Sequence, residues 1–378
     1  MTSNKDNSSQ LNGDVFSPNQ SERIYSQHRN EISDDDRCLI DNLRNRLGIV
    51  LTSFYDTDFN LLRWIIGFDR NLDIIEPKLR AHLRFRRLMG FNAEDTNLLP
   101  AHPVMRQYHP VVILPGQPFS NTSNQPNKSV VAIFMEGRVD FAGLFRTVSH
   151  QDLVVDQMIV AETLLRHCMR LEKTTHQMQS CVIIVDLEGC RFDSSISKAL
   201  NGSLSSLVGQ LTEHYVEIID KVYIINARQW VHMALTALQP VLSNGTFSKI
   251  QIFSQANWRK DLFSAIDRGL LPKFWGGTNT DDDRVYSYDN LTIPREMYYN
   301  QAKDSILEAS LDYRVVTSYS KTVIPIQVTE ECSELEWHIV AEDGIQFAIY
   351  YSGNNDFGPW VHTISLSANN AVQSSSPK

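Results

Sequence analysis

Two carboxylates, Asp186 and Glu188, stand two positions apart at the end of a short apolar run. Residues two apart on an extended segment lie on the same side, and paired carboxylates can serve as general acid and base. However, neither a nucleophile nor a second catalytic group is recognisable nearby. The pair alone does not support catalysis, and we expect that the protein is not an enzyme.

The residue types that bind metals or form covalent intermediates are scattered along the chain. The five cysteines, an odd number, include no CxxC pair, which argues against a structural zinc site or a disulfide framework. The histidines are isolated in the sequence. The nucleophile elbow, the phosphate-binding loop, the HExxH helix and the dinucleotide fingerprint are all missing from it. We therefore expect neither a metal nor a cofactor.

The composition is that of an ordinary globular protein, with 42% apolar and 21% charged residues. A net charge of −9 argues against a nucleic-acid partner, because such binding depends on clustered cations. No apolar run approaches the roughly 18 residues of a membrane-spanning helix, and the N-terminus lacks the apolar stretch of a secretory signal. These features predict a cytoplasmic location and allow peripheral contact with membranes.

The elements that must position any functional residues are clearest between residues 221 and 277. The apolar run Val222 to Ile225 is typical of a strand buried on both faces. A helix is predicted from about Gln229 to Leu242, since a proline and a turn follow. A second strand is predicted from Lys249 to Phe253. The order strand, helix, strand predicts a crossover between parallel strands.

The middle helix of this unit has two apolar stripes, whereas a surface helix needs only one. It is therefore either buried on both sides in a large core or a lid, which packs on the protein with one side and faces a lipid cavity or a membrane with the other. The pattern does not decide between these interpretations. The main stripe consists of Trp230, Ala234, Ala237, Leu238 and Val241.

Further helices and strands surround this unit. Ser33 and the three aspartates after it predict a helix N-terminus in preference to a metal-binding acidic cluster. The clearest helix runs from about His150 to Leu171, with Met158 and Leu165 on its apolar stripe. From about Leu311 onward, apolar and polar residues alternate, which predicts antiparallel strands of a β-sandwich.

A basic helix is predicted from about Asp73 to Met89. Its cations form either a solvated face or a contact with anionic lipid, where each cation near the surface contributes about 1 kcal/mol. The cations are Lys78, Arg80, Arg84, Arg86 and Arg87.

Several runs together resemble one family. YIINARQW, QPVL, SKIQIF and LLPKFWGGT resemble the second half of a CRAL-TRIO (Sec14-like) lipid-binding domain, and LRAHLRFRRLMG, GLFRTVS and VIIVDLEGC precede them in the family's order. TDDDRVYSYDNLTIPREMYY resembles the connector to a C-terminal GOLD module, and LEWHIVAEDGIQFAIYY resembles the front of that module. The resemblance covers roughly residues 31–350, and the GOLD-like part is shorter than usual.

The resemblance implies an α/β fold flanked by helical and β regions. We expect a disordered tail at 1–30, an N-terminal helical region at 31–93, a CRAL-TRIO domain at 94–281, a linker at 282–310 and a partial GOLD-like β-sandwich at 311–378. The family's mixed, mainly parallel sheet carries helices on one side and an apolar cavity on the other. A mobile helix closes that cavity.

The resemblance also implies where a lipid headgroup binds. In phosphatidylinositol-binding members, a glutamate before the IIN strand and a lysine before the following proline contact the headgroup region. This chain has Glu217 at the first position and Gln239 at the second. Losing a cation there forfeits a charge-assisted hydrogen bond of about 1.5–3 kcal/mol. We therefore expect a neutral or different lipid.

The predicted function is that of a lipid-transfer protein, which shelters one hydrophobic ligand, a phospholipid or neutral lipid, under a mobile helix and exchanges it at membranes. The alternative is an adaptor in signalling or membrane traffic that keeps the fold but acts through protein contacts, for which the GOLD-like module is the candidate surface. Large aromatic side chains in the cavity would favour the adaptor, and Trp230 is the residue to inspect.

Overall fold

The computed structural model describes residues 32–92, 102–114, 130–201, 203–239, 242, 244–279, 291–298, 312–317, 320–325, 337–340, 345–349, 361–366 and 371–374. The predicted N-terminal tail lies outside these residues.

Three helices form the N-terminal region: α1 (Asp34–Leu47), α2 (Asp58–Gly67) and α3 (Leu72–Leu88). The side chain of Ser33 caps α1 by accepting a hydrogen bond from the backbone N–H of Asp36, so the predicted helix start is confirmed. Thr57 and Asn71 cap the other two helices in the same way. The apolar sides of the three helices meet in one buried core, which also includes residues from the following domain.

A five-stranded sheet forms the centre of that domain, in the order β1-β2-β3-β4-β5. β1 is antiparallel to β2, and the other neighbours are parallel, as the strand–helix–strand pattern predicts. The strands are β1 (Val111–Leu114), β2 (Val130–Phe134), β3 (Cys181–Asp186), β4 (Ile219–Ala227) and β5 (Ile250–Ser254).

Eight α-helices accompany the sheet in the described part of the chain. The helix predicted from Gln229 ends at Leu238, four residues earlier than expected, and the N–H of Leu242 bonds back to the carbonyl of Leu238. The helices are α4 (Pro103–Tyr108), α5 (Phe141–Thr147), α6 (His150–Thr175), α7 (Ser194–Asn201), α8 (Ser203–His214), α9 (Trp230–Leu238), α10 (Asn244–Ser248) and α11 (Trp258–Ala265).

The strand register sorts the apolar side chains of the sheet onto two faces. We call one the inner face; it consists of two rows across β2–β5, namely Ala132, Ile183, Val222 and Ile250, and Phe134, Val185, Ile224 and Ile252. We call the other the outer face; it includes Val131, Ile133, Val182, Ile184, Tyr223 and Ile225. The outer face packs against Trp258 and Leu262 of α11 and against Trp275.

Buried ion pairs join the N-terminal helices to α6. Arg86 on α3 forms a bidentate pair with Glu162, with nitrogen–oxygen distances of 2.6 and 2.9 Å, and both side chains are 0% exposed. Arg166 adds a second guanidinium to the same carboxylate at 2.9 Å. Arg63 on α2 pairs with Glu172 in the same buried manner.

These contacts correct one part of the predicted membrane surface on α3. Arg86 was among its cations, but it is enclosed by its ion pair and does not reach the surface. Arg80 bonds to Glu76 and to the backbone carbonyl of Arg46, and Lys78 lies 5.5 Å from the ring centre of Phe68. The partner of Arg86 lies 76 positions away in the sequence, so the local pattern of α3 could not reveal it.

The C-terminal strands that the structure describes form two two-stranded antiparallel sheets. The GOLD-like sandwich stays a prediction. The strands are β6 (Trp337–Val340), β7 (Ile345–Ile349), β8 (Val361–Leu366) and β9 (Ala371–Ser374), with β6 paired to β9 and β7 to β8. The alternation at 312–325 also predicted strands, but the described residues there form none, and Val315 and Val323 are 68% and 78% exposed. Alternation produces a strand only where a partner covers the apolar side.

Within the described residues, no helix combines the length and the apolar character that crossing a bilayer requires.

The Arg86–Glu162 pair makes a stability prediction. Removing Arg86 leaves Arg166 as the remaining guanidinium beside the buried carboxylate of Glu162, so we expect Arg86→Ala to lower the free energy of unfolding by about 3 kcal/mol, at the low end for a broken buried pair. Urea denaturation followed by circular dichroism measures the change. Arg87→Ala, at the exposed neighbour on the same helix, should change it by less than about 0.5 kcal/mol. Equal effects of the two substitutions would contradict the assignment.

Candidate functional site

The inner face of the sheet carries apolar side chains that the helices above do not fully cover. Ile183, Val222 and Ile250 lie side by side on three neighbouring strands, and each is only half-buried. Val185 and Ile252, in the next row, are half-buried as well. Ile183, Val185 and Val222 are on interior strands, where a side chain remains accessible only if the layer above covers it incompletely, whereas Ile250 and Ile252 are on the edge strand. We call this partly covered apolar surface of β3–β5 the hollow.

The outer face gives the contrast. Ile133, Ile184 and Ile225 are each 0% exposed. On β3 and β4 the inner-face residues Ile183 and Val222 are half-buried while their outer-face neighbours Ile184 and Ile225 are buried, so on these two strands the difference arises from the covering layer. On the edge strand β5 the outer-face residue Phe253 is half-buried as well.

Two helices bound the hollow. At one end α6 packs on the sheet, where Met158 and Leu165 share a buried core with Val130, Ala132 and Cys181. At the other end α9 packs on β4, where Val231 lies in a cluster with Ile224 and half-buried Ile252.

Both of these helices lie on the same face, which corrects the expected arrangement. The resemblance implied helices on one side of the sheet and the cavity on the other. Strands β2–β5 are adjacent in sequence order, and parallel crossovers are right-handed, so successive connections return to one face. The hollow lies among these connections, and α11 covers the other face.

The structure separates the predicted pocket residues into three groups. Met158 and Leu165 are buried in the α6 core, at 1% and 3% exposure, so they support the wall of the hollow from behind. Ala234 is buried and Trp230 and Leu238 are half-buried on α9. Ala237 is exposed, although it lies on the same stripe, about 60° around the helix from Ala234. Val241 lies outside the described residues.

The outward side of α9 is apolar in part. Met233 is 57% exposed, and Ala237 lies one turn further along the helix. Val231 and Ala234 point the other way and are buried. Both predicted stripes therefore contribute to the packed side, one through Ala234 and the other through Val231, and the exposed Met233 belongs to neither stripe.

Glu217 and Gln239, which are predicted at the headgroup end, have different surroundings in the structure. Glu217, in a left-handed backbone conformation with φ of 50°, accepts a hydrogen bond from Lys249 Nζ at 2.8 Å. Both side chains are half-buried, at 17% and 18% exposure. Gln239 lies exposed at the C-terminal end of α9.

The sequence analysis missed Lys249 because it lies 32 positions after Glu217. In the structure both residues stand just before parallel strands, Glu217 before β4 and Lys249 before β5, and equivalent ends of such strands meet at one edge of the sheet. The neutral lipid was expected because Gln239 stands where the phosphatidylinositol-binding members have a lysine, and Lys249 is a different cation, beside Glu217.

The carboxylates Asp186 and Glu188 have separate structural roles. Asp186 is buried and accepts hydrogen bonds from the backbone N–H of Glu188 at 2.9 Å and from the side chain of Asn226 at 2.8 Å. Asn226 has a positive φ of 55°, so this bond fixes the turn from β4 towards α9. Glu188 points instead towards Arg138, at 3.9 Å.

Two of the isolated histidines meet in the structure. Nδ1 of His82 on α3 lies 3.3 Å from Nδ1 of His214 on α8, and both rings are buried. Burial, reinforced by His214 and Arg86, holds the pKa of His82 well below its usual value. No group of three His, Cys, Asp or Glu side chains in the described residues is arranged to hold a metal ion.

Two models of protein families match parts of this chain. Residues 119–277 match the family model of the CRAL/TRIO domain, and residues 32–94 match that of a domain of unknown function. The crystal structure of Sfh5 aligns with 74% of this chain and 99% of its own, with 13% sequence identity and a TM-score of 0.48.

Curated relatives include two from Caenorhabditis elegans. The chain is 26% identical to CRAL-TRIO domain-containing protein F28H7.8 over 86% of this chain and 78% of the relative, and 23% identical to Protein ctg-1 over 78% and 75%. It is 26% identical to the SEC14 cytosolic factor of Kluyveromyces lactis over 46% of this chain and 55% of that protein. Within this chain the similarity to the CRAL/TRIO domain is thus located at residues 119–277.

Proposed function

We propose that this protein binds one lipid in the hollow above the inner face and transfers it between membranes. The observation that carries the proposal is that Ile183 and Val222 on the inner face are half-buried while Ile184 and Ile225, on the outer face of the same two strands, are buried. Similarity to a SEC14 cytosolic factor supports the same function and a cytosolic location.

The physical basis is the burial of acyl chains. Each methylene transferred from water to an apolar environment contributes about 0.8 kcal/mol. The half-buried side chains lose their remaining contact with water at the same time, so the burial of ligand and of protein surface both contribute to the binding free energy. A hollow floored by branched aliphatic side chains fits an acyl chain, whose length determines the affinity.

We propose that α9 is the mobile helix through which the lipid enters. Its buried side rests on β4 through few residues, chiefly Val231 and Ala234. Its open side exposes Met233, which suits contact with a bilayer surface. The hydrogen bond from Asn226 to Asp186 anchors the strand end just before the helix and provides a fixed point for its movement.

The polar end of the lipid is proposed to lie at Glu217 and Lys249. Their ion pair is half-buried, so an incoming phosphate can share the ammonium of Lys249 while remaining near water. This arrangement favours a phospholipid over a neutral lipid. It reverses the preference based on Gln239.

The remaining cations of α3 are proposed as a membrane contact beside this site. Arg87 is exposed and Lys78 is half-buried, whereas Arg86 is excluded by its ion pair. Attraction to anionic lipid through such residues is weak per charge and sensitive to salt.

The adaptor remains the alternative, and one observation favours it. Trp230 is half-buried against Phe192, with ring centres 5.5 Å apart, so aromatic side chains occupy part of the region next to α9. If the protein is an adaptor, the C-terminal strands, which resemble part of a GOLD module, are the candidate surface for binding another protein.

Solvent extraction of the purified protein and mass spectrometry of the extract test the choice. The carrier predicts about one lipid molecule per chain. A protein that is empty after purification and takes up no lipid from vesicles would contradict the carrier and leave the adaptor.

Filling the hollow should remove the bound lipid. We expect Val222→Phe to reduce lipid per chain by at least about tenfold with little loss of stability, because the added ring enters unfilled space. Thr236→Phe, on the exposed side of α9, adds a similar side chain outside the hollow and should leave the lipid content unchanged. Quantitative lipid mass spectrometry and thermal unfolding measure both properties. If Val222→Phe instead retains lipid but lowers stability by about 1–3 kcal/mol, the region is already filled.

Removing the cation should weaken binding of phospholipids. We expect Lys249→Ala to lower the affinity for a phosphate-bearing lipid by roughly ten- to a hundredfold, because a charge-assisted hydrogen bond is lost. The affinity for a neutral lipid with the same acyl chains should change little. Lys260→Ala, an exposed lysine on α11, is the matched control. Equal losses for both lipids in Lys249→Ala would mean that the residue supports the fold and not the headgroup.

A further inference from the structure

A second, polar cleft opens at the carboxyl ends of β2 and β3, apart from the apolar hollow. Its volume is about 980 Å³, within the range of small-molecule sites. Four separate segments meet there, and none of the inner-face residues contributes. The lining residues are Gly137, Arg138, Val139, Asp140, Glu188, Gly189, Arg191, Phe274 and Thr292.

Two guanidinium groups from different loops face this cleft. Arg138 follows β2, has a side chain only 13% exposed, and lies 5.1 Å from the ring centre of Phe274. This contact holds its planar group in place before any ligand arrives. Arg191 follows β3 and is exposed, and within the described part of the chain no carboxylate forms an ion pair with it.

Two of the described residues that line the cleft are acidic, and neither forms an ion pair with Arg191. Asp140 accepts a hydrogen bond from the backbone N–H of Gly143 at 2.9 Å and another from Ile293 at 3.3 Å, so its charge is already engaged. Glu188 is 56% exposed and lies 3.9 Å from Arg138, too far for a direct hydrogen bond. An anion with better geometry can displace it.

Glycines fix the relative position of the two loops. A Cβ on Gly137 would lie 2.1 Å from the carbonyl oxygen of Glu188, so only glycine allows this approach. Gly189 has a φ of 88°, a conformation that other residues rarely adopt. The spacing of Arg138 and Arg191 is thus set by the packed backbones of the loops that carry them.

We propose that this cleft binds a phosphate group, with Arg138 and Arg191 as its ligands and Glu188 as the competing anion. Guanidinium groups bind oxyanions through paired N–H donors, and two of them suit the several oxygens of a phosphate better than the two of a carboxylate. The aromatic ring of Phe274 beside Arg138 supports the apolar part of a phosphorylated molecule. The phosphate belongs either to a soluble compound or to a lipid headgroup.

Isothermal titration calorimetry with pyrophosphate at low ionic strength tests the site. Wild-type protein should bind saturably, and Arg191→Gln should weaken binding at least about tenfold, the loss expected for a charge-assisted hydrogen bond. Glu188→Gln should tighten binding, because the competing carboxylate is removed. Arg259→Gln on α11 removes an equally exposed cation outside the cleft and should leave binding unchanged.

Any of four results overturns the proposal. The wild type shows no saturable binding, Arg191→Gln binds as well as the wild type, or Glu188→Gln binds more weakly. The fourth is an equal loss in Arg259→Gln, which would indicate a diffuse charge effect.

Vesicles of phosphatidylcholine with and without phosphatidic acid then identify the source of the phosphate. Binding to phosphatidic acid that Arg191→Gln abolishes assigns the site to a lipid headgroup, and pyrophosphate binding without vesicle binding assigns it to a soluble phosphate. The lipid content of the hollow should be unchanged in Arg191→Gln, which separates this site from the proposed carrier function.

Discussion

The constraint on which the site depends is the strand order of the sheet. Because β2, β3, β4 and β5 are neighbours in sequence and in space, each parallel connection crosses the same face with the same hand. The three connections between these strands, which contain α5–α10, thus return to the inner face, and α6 and α9 pack at its two ends. The surface between them is apolar because the central strands are apolar on both sides. The hollow is the part of this surface that the helices leave partly covered.

The buried ion pairs make this arrangement rigid at one end only. Arg86–Glu162 and Arg63–Glu172 connect α3 and α2 to α6 inside the core, where neither charge can separate from its partner at low energy. At the other end, α9 is held by apolar contacts and by the turn at Asn226. Buried charges thus join α6 to the N-terminal helices, whereas α9 has apolar contacts, and the proposal that α9 is a lid rests on this difference.

Much of the fold followed from local pattern. The apolar runs at Val222 and Lys249 and the long helix from His150 agree with the structure because periodicity and caps are local properties. The strands expected near Val315 did not form in the described residues, since a strand also needs a partner that local sequence does not specify. The basic helix α3 shows the same limit of local sequence. The spacing of its cations predicted the helix, but it did not predict that Arg86 pairs with a carboxylate 76 positions away.

The site was less predictable than the fold. Glu217 was identified through the resemblance, but its partner Lys249 depends on which strand ends meet, and the polar cleft depends on loops packed through Gly137 and Gly189. Met158 and Leu165 were on the correct helix, but periodicity cannot distinguish a side chain that lines a cavity from one that supports its wall.

Photocrosslinking tests the central claim most directly. A phospholipid with a photoreactive diazirine near the end of one acyl chain is loaded into the protein, irradiated, and mapped by peptide mass spectrometry. The hollow predicts label on the inner-face residues of β3, β4 and β5, such as Ile183, Val222 and Ile252. Label confined to exposed residues such as Met233, with none on these strands, would contradict an acyl chain inside the domain.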